Sequence, residues 1–146
     1  MSARRAEAIA RGIATFDDDG ALAWLEGYAA TGGLEALKSA LAVAEEGYLE
    51  RGTCVALLGA AEIVAGASTG PRPGLPSGAL RAISRLTPAQ VEPLRELAAR
   101  QVHRVLGAHS ELREYWDERD VEFPLWRASV LELCRRLERA RRMVIE

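Results

Sequence analysis

The stretch Thr53–Ala67, TCVALLGAAEIVAGA, constrains this chain more than any other, because it carries a single charge, Glu62, and is otherwise apolar on every side of a helix. A helix that is apolar all round is stable only when neighbours surround it. Its spacing is helical rather than alternating, with Thr53 available as an N-cap. At fifteen residues the segment is shorter than the ~20 needed to cross a bilayer. It is read as the centre of a soluble fold.

The remaining segments supply its neighbours. Ala21, Trp24, Leu25 and Tyr28 share one helical face after Asp17-Asp18-Asp19-Gly20, a cluster that offers an N-cap and favourable charge at a helix start. Thr31-Gly32-Gly33 breaks the chain; Leu34, Leu37, Leu41 and Ala44 form the next face, with Gly47 as a left-handed stop. Ser68–Gly78, STGPRPGLPSG, reads as an irregular, flexible loop, and Ala79–Leu86 as a short helix. Thr87-Pro88-Ala89-Gln90 is a capping box with proline at the first helical position, and Pro93 should kink the helix that runs on to Gly107. Ser110 caps a short helix bearing Leu112, Tyr115 and Trp116. The last helix is placed from near Pro124, along the seam Trp126, Val130, Leu133, Leu137, Ala140 and Val144, with Glu132–Arg136 and Glu138–Arg142 as pairs on its wet side.

The expectation is an all-α irregular bundle of six or seven helices around residues 53–67, in one domain spanning 1–146. A chain of 146 residues can bury enough surface to fold without a disulfide or metal. Hydrophobic residues at 49% and charged residues at 27% exclude disorder and fibrous classes. A net charge of −2 gives no general attraction to nucleic acid or acidic membrane, and neither is an expected partner. Cys54 and Cys134 have no paired-cysteine or zinc spacing and are read as buried free thiols. Met1–Gly12 lacks the apolar run of a secretory signal, so a cytoplasmic location is expected. Eighteen arginines against the single Lys38, with 26 alanines, suggest a GC-rich bacterial source.

Function is far less legible. No nucleophile elbow, phosphate-binding loop, dinucleotide fingerprint or paired-histidine metal motif occurs. His103 and His109 stand six apart and are read as structural or exposed. Thr15, Asp17, Asp19, Gly20 and Glu26 mimic calcium-loop spacing, but the later positions fall in helix, so capping is the preferred role. Glu62 is the most informative residue, since a buried carboxylate must be paired or neutralised. Gly59 and Gly66 share its face, which permits either a close helix approach or a small cavity. The preferred reading is either an ion pair with an arginine of a neighbouring helix or a helix face that meets water. The basic end, Arg135 to Arg142, suits a helix C-terminus, and Tyr115, Trp116, Phe123 and Trp126 are read as a satellite core.

The segment Gly12–Leu25, GIATFDDDGALAWL, together with Ala60–Ala65, Ser110–Trp116, Trp126 and Leu133–Leu137, resembles the bacterial domain-of-unknown-function family DUF4259 over roughly residues 12–140. The chain departs from that family in lacking its N-terminal Trp-Gly, in having Asp18 for Asn, and in having Gly20 and Ala23 where acidic residues are common. The resemblance implies a fold neighbourhood and no activity. The leading reading is a non-catalytic helical binding or interaction module with an unidentified protein partner and no cofactor. Its candidate site is Asp17, Asp19, Trp24 and Glu62. The alternative is a metal-assisted hydrolase or lyase using Asp17, Asp19 and Glu62.

Overall fold

A computed structural model describes residues 12–44 and 46–145, with side chains through 139. The N-terminal arginines, and the side chains of Ala140, Arg142 and Val144, lie outside the described residues. Among the described residues seven helices form: α1 Asp19–Thr31, α2 Gly33–Leu41, α3 Arg51–Thr69, α4 Ser77–Ser84, α5 Arg95–Val105, α6 Glu111–Asp117 and α7 Glu122–Ile145. A 3₁₀ turn, Thr15–Asp17, precedes α1; one α-turn, Pro88–Val91, and a 3₁₀ turn, Glu92–Leu94, lead into α5. No strand occurs among the described residues, only a parallel bridge between Leu49 and Ser110.

Helix α3 packs against all six other helices, as its uniformly apolar sequence requires. Leu57, Ala60, Ala61, Ile63, Val64 and Ala65 are fully buried, each large aliphatic contributing on the order of 1.5–3 kcal/mol. With 19 residues it is longer than the expected fifteen, and it is the one helix among those described that meets length and composition criteria for a membrane span. Yet 72% of that apolar window is buried inside the bundle. The glycine stripe serves close packing rather than a cavity. A Cβ at Gly59 would stand 2.7 Å from Trp24 Cε3, and one at Gly66 would stand 2.4 Å from Ile83 Cδ1.

Several helix ends differ from the sequence expectation because tertiary groups cap them. Helix α2 stops at Leu41, well before Gly47. The carbonyls of Leu41 and Val43 accept from buried Gln101 Nε2 at 2.8 and 3.0 Å, and that of Ala44 from Arg104 Nη1 at 2.6 Å. Gly47 still adopts φ 110°, but in the connecting segment. Helix α3 starts at Arg51 rather than at a Thr53 cap, and Glu50 at its N-cap makes no side-chain cap bond. Instead Glu111 Oε1 of α6 accepts the Arg51 N–H at 2.7 Å. The loop shrinks to 70–76, since Ser68 and Thr69 extend α3 while Ser77 and Gly78 open α4.

Other local signals hold. Thr87 and Gln90 form the capping box, Pro93 sits in the 3₁₀ turn before α5, and Ser110 Oγ accepts the Arg113 N–H at 3.2 Å. Trp126, Val130, Leu133 and Leu137 are buried along α7, which begins two residues before Pro124. Cys54 and Cys134 are buried and free. Burial pushes the Cys134 thiol up to about 11.

Candidate functional site

The opening segment turns sharply because its carboxylates bind its own backbone. Asp17 Oδ2 accepts the Ala14 N–H at 3.2 Å, closing the 3₁₀ turn. Asp18 is the N-cap of α1, its Oδ1 accepting from the Gly20 and Ala21 amides at 2.7 and 3.3 Å. Its other oxygen meets Arg51 Nη2 at 2.8 Å. Asp19 is the first residue of α1 and is exposed.

Across from this turn stands α6. Arg51 spans the gap, with its guanidinium carbon 4.2 Å from the Tyr115 ring centroid; Arg119 lies over the same ring at 3.6 Å. Trp116 stacks on Trp126 at 6.2 Å between centroids. The opening turn and α6 therefore enclose a cleft of about 240 Å³, with Asp17, Asp18, Asp19 and Arg51 on one side, Tyr115, Trp116 and Trp126 on the other, and Val55 and Leu58 beneath.

Of the four residues singled out in the sequence, Asp17 and Asp19 line this cleft, whereas Trp24 and Glu62 do not. Trp24 lies against Gly59 and stacks on Tyr28 with centroids 5.2 Å apart. Glu62 is 4% exposed and is held by arginine, as expected of a buried acid. Its Oε2 meets Arg72 Nε at 2.9 Å and Arg136 Nη1 at 3.4 Å, while its Oε1 accepts from Thr15 Oγ1 at 3.4 Å. The joint carboxylate centre of Asp17, Asp19 and Glu62 is not assembled: no group of three or more His, Cys, Asp or Glu side chains suited to a metal ion occurs among the described residues. Arg136 also corrects the expected Glu132–Arg136 pair. It turns inward, and Glu132 instead meets Arg135 at 3.6 Å and Arg139 at 3.0 Å. Glu138 meets His103 at 3.6 Å.

Sequence reading missed Arg51, because an arginine near a helix start carries no local signature of a cross-chain bridge. It also missed buried Arg95, whose guanidinium binds Glu92 through two nitrogens and the Leu137 carbonyl at 2.7 Å.

The model of one protein family, a domain of unknown function (DUF4259), matches residues 10–129 and so takes in the opening turn, α3 and α6. The chain belongs to the DUF4259 family. No curated protein and no solved structure matches it. Both walls of the cleft fall within the DUF4259 match, as does all of α3; the match ends within α7, so Arg136 lies beyond it.

Proposed function

We propose that this chain is a non-catalytic binding protein of the bacterial cytoplasm, and that the cleft between the opening turn and α6 receives a cationic side chain of a protein partner. One observation carries the reading: the opening carboxylates and the aromatic surface of α6 converge on one open cleft bridged by Arg51. Three carboxylates against one guanidinium leave the lining net acidic, which favours a cation, and the Tyr115 ring already carries two guanidinium groups, Arg51 and Arg119. Asp17 and Asp18 already serve the fold, which suits recognition better than proton transfer.

Trp116 and Trp126 line the cleft, so intrinsic fluorescence reports on it. Titration with tetra-arginine or tetra-lysine peptides is expected to change the emission saturably, with tetra-glutamate inert. The Asp17→Asn/Asp19→Asn variant should weaken binding at least tenfold. Equal responses to the acidic and basic peptides, or no response to any, overturn the reading.

A further inference from the structure

A second cleft, sharing no lining residue with the first, lies between α1, the start of α2, and α4. Its volume is about 270 Å³, just below the roughly 300–1,000 Å³ typical of ligand pockets and so suited to a small ligand. Arg81, in the last turn of α4, and Arg85, the C-cap residue that follows it, stand four residues apart and both line it. Neither guanidinium has an ion pair or hydrogen bond among the described residues. That separates them from Arg51, Arg72, Arg95 and Arg136, which all meet carboxylates.

Two further groups face the same space. Gly32 and Gly33 line it at the start of α2, and the N-cap Gly32 supplies no side-chain bond to the first amides of that nine-residue helix. Such amides, with the helix dipole, favour an anion. Tyr28 also lines the cleft, although the residue is only 5% exposed. Its hydroxyl makes no hydrogen bond among the described residues, and it is not one of the enclosed polar atoms, so it is free to meet a ligand in the cleft. The charge of Arg85 reaches that phenol, opposing the upward push of burial on its pKa. Ala29, Ala82 and Leu86 supply the apolar wall.

We infer that this cleft binds a small organic anion, its carboxylate or phosphate held by Arg81, Arg85 and the first amides of α2, with Tyr28 donating and the apolar body resting on Ala82 and Leu86. Guanidinium forks suit both acid groups, and the apolar wall selects an anion with a hydrocarbon body over a bare one.

The test is calorimetric titration of the whole chain with benzoate, phenyl phosphate, inorganic phosphate and benzyl alcohol, with amide NMR shifts recorded in parallel. Saturable binding of benzoate or phenyl phosphate is expected, and whichever binds tighter identifies the acid group. Shifts should centre on Gly32, Gly33 and Leu34. Arg81→Gln/Arg85→Gln, which alters only exposed side chains, should weaken binding at least tenfold, and Tyr28→Phe at least threefold. Benzyl alcohol binding as well as benzoate would overturn the inference. So would inorganic phosphate matching phenyl phosphate, shifts centred elsewhere, undiminished binding in the arginine variant, or no saturation by any titrant.

Discussion

Arg51 Nη2 lies 2.8 Å from Asp18 Oδ2, and through that contact the first residue of α3 is tied to the cap of α1. The same arginine rests on Tyr115 of α6 and gives its backbone N–H to Glu111. Three segments distant in sequence thus meet at one residue, and the cleft is the space they leave.

Asp18 has two separable roles. Asparagine is as good an N-cap as aspartate but carries no charge. Asp18→Asn should therefore lose only a partly exposed ion pair, within about 1 kcal/mol, while Asp18→Ala should lose the cap as well, for about 1–2 kcal/mol in total. Urea unfolding of both variants separates the two. Equal losses would mean that the carboxylate charge, not the cap, holds the turn.

Glu111 caps a helix from another part of the chain. The Leu49 N–H donates to the His109 carbonyl at 2.8 Å and the Glu111 N–H to the Leu49 carbonyl at 2.9 Å, so the two segments are fastened before the carboxylate reaches Arg51. Glu111→Ala should cost about 1 kcal/mol, measurable by thermal unfolding. The Arg51 amide should also lose hydrogen-exchange protection. Unchanged protection would show that another group satisfies that amide.

Legibility in the sequence tracks the range of the force responsible. The burial of α3, the capping box at Thr87 and the Ser110 cap are set by residues within a few positions, and all appear as read. Gly47 and Thr53 carry the right local signals for a stop and a start, but Gln101, Arg104 and Glu111 decide those ends from some sixty residues away. The candidate site divides in the same way. Asp17 and Asp19 belong to a local turn and reach the cleft together, whereas Trp24 and Glu62 face other neighbours. Helical periodicity gives the face of a residue without its partner.

Gly66 and Ile83 form a steric pair. Gly66→Ala gains up to about 1 kcal/mol of helix propensity but forces a methyl against Ile83, at a cost of about 1–3 kcal/mol. Ile83→Val removes the Cδ1 atom that stands nearest. The double variant should be more stable than the sum of the two single changes allows, by at least about 0.5 kcal/mol in a double-mutant cycle. Strict additivity would mean that Ile83 rotates away freely.

Tyr48 is exposed, yet its hydroxyl donates to Glu114 Oε2 at 2.7 Å, and that bond pushes its pKa up to about 12. The raised value favours the neutral phenol in the folded state. Its contribution to stability is therefore complete below about pH 10 and declines as pH rises through about 12. An absorbance titration at the phenolate band should show one tyrosine moving back toward the ordinary range in Glu114→Gln. An unmoved titration would remove the hydrogen bond as its cause.

Glu62 should make the central network asymmetric. Its side chain is 5% exposed, and both arginines reach one oxygen from outside the helix: Arg72 from the proline-rich loop and Arg136 from α7. Long arginine stems can redirect their heads to water when the acid is lost. A carboxylate on the central helix has no such escape. Glu62→Leu is expected to cost about 1–2 kcal/mol, since an apolar group of similar volume offsets part of the lost pairing. Arg72→Ala/Arg136→Ala should cost more, about 3–5 kcal/mol, because it strands a buried charge. Urea unfolding of both variants decides the order. The reverse order would place the principal desolvation penalty on the arginines, with Glu62 as the group that relieves it.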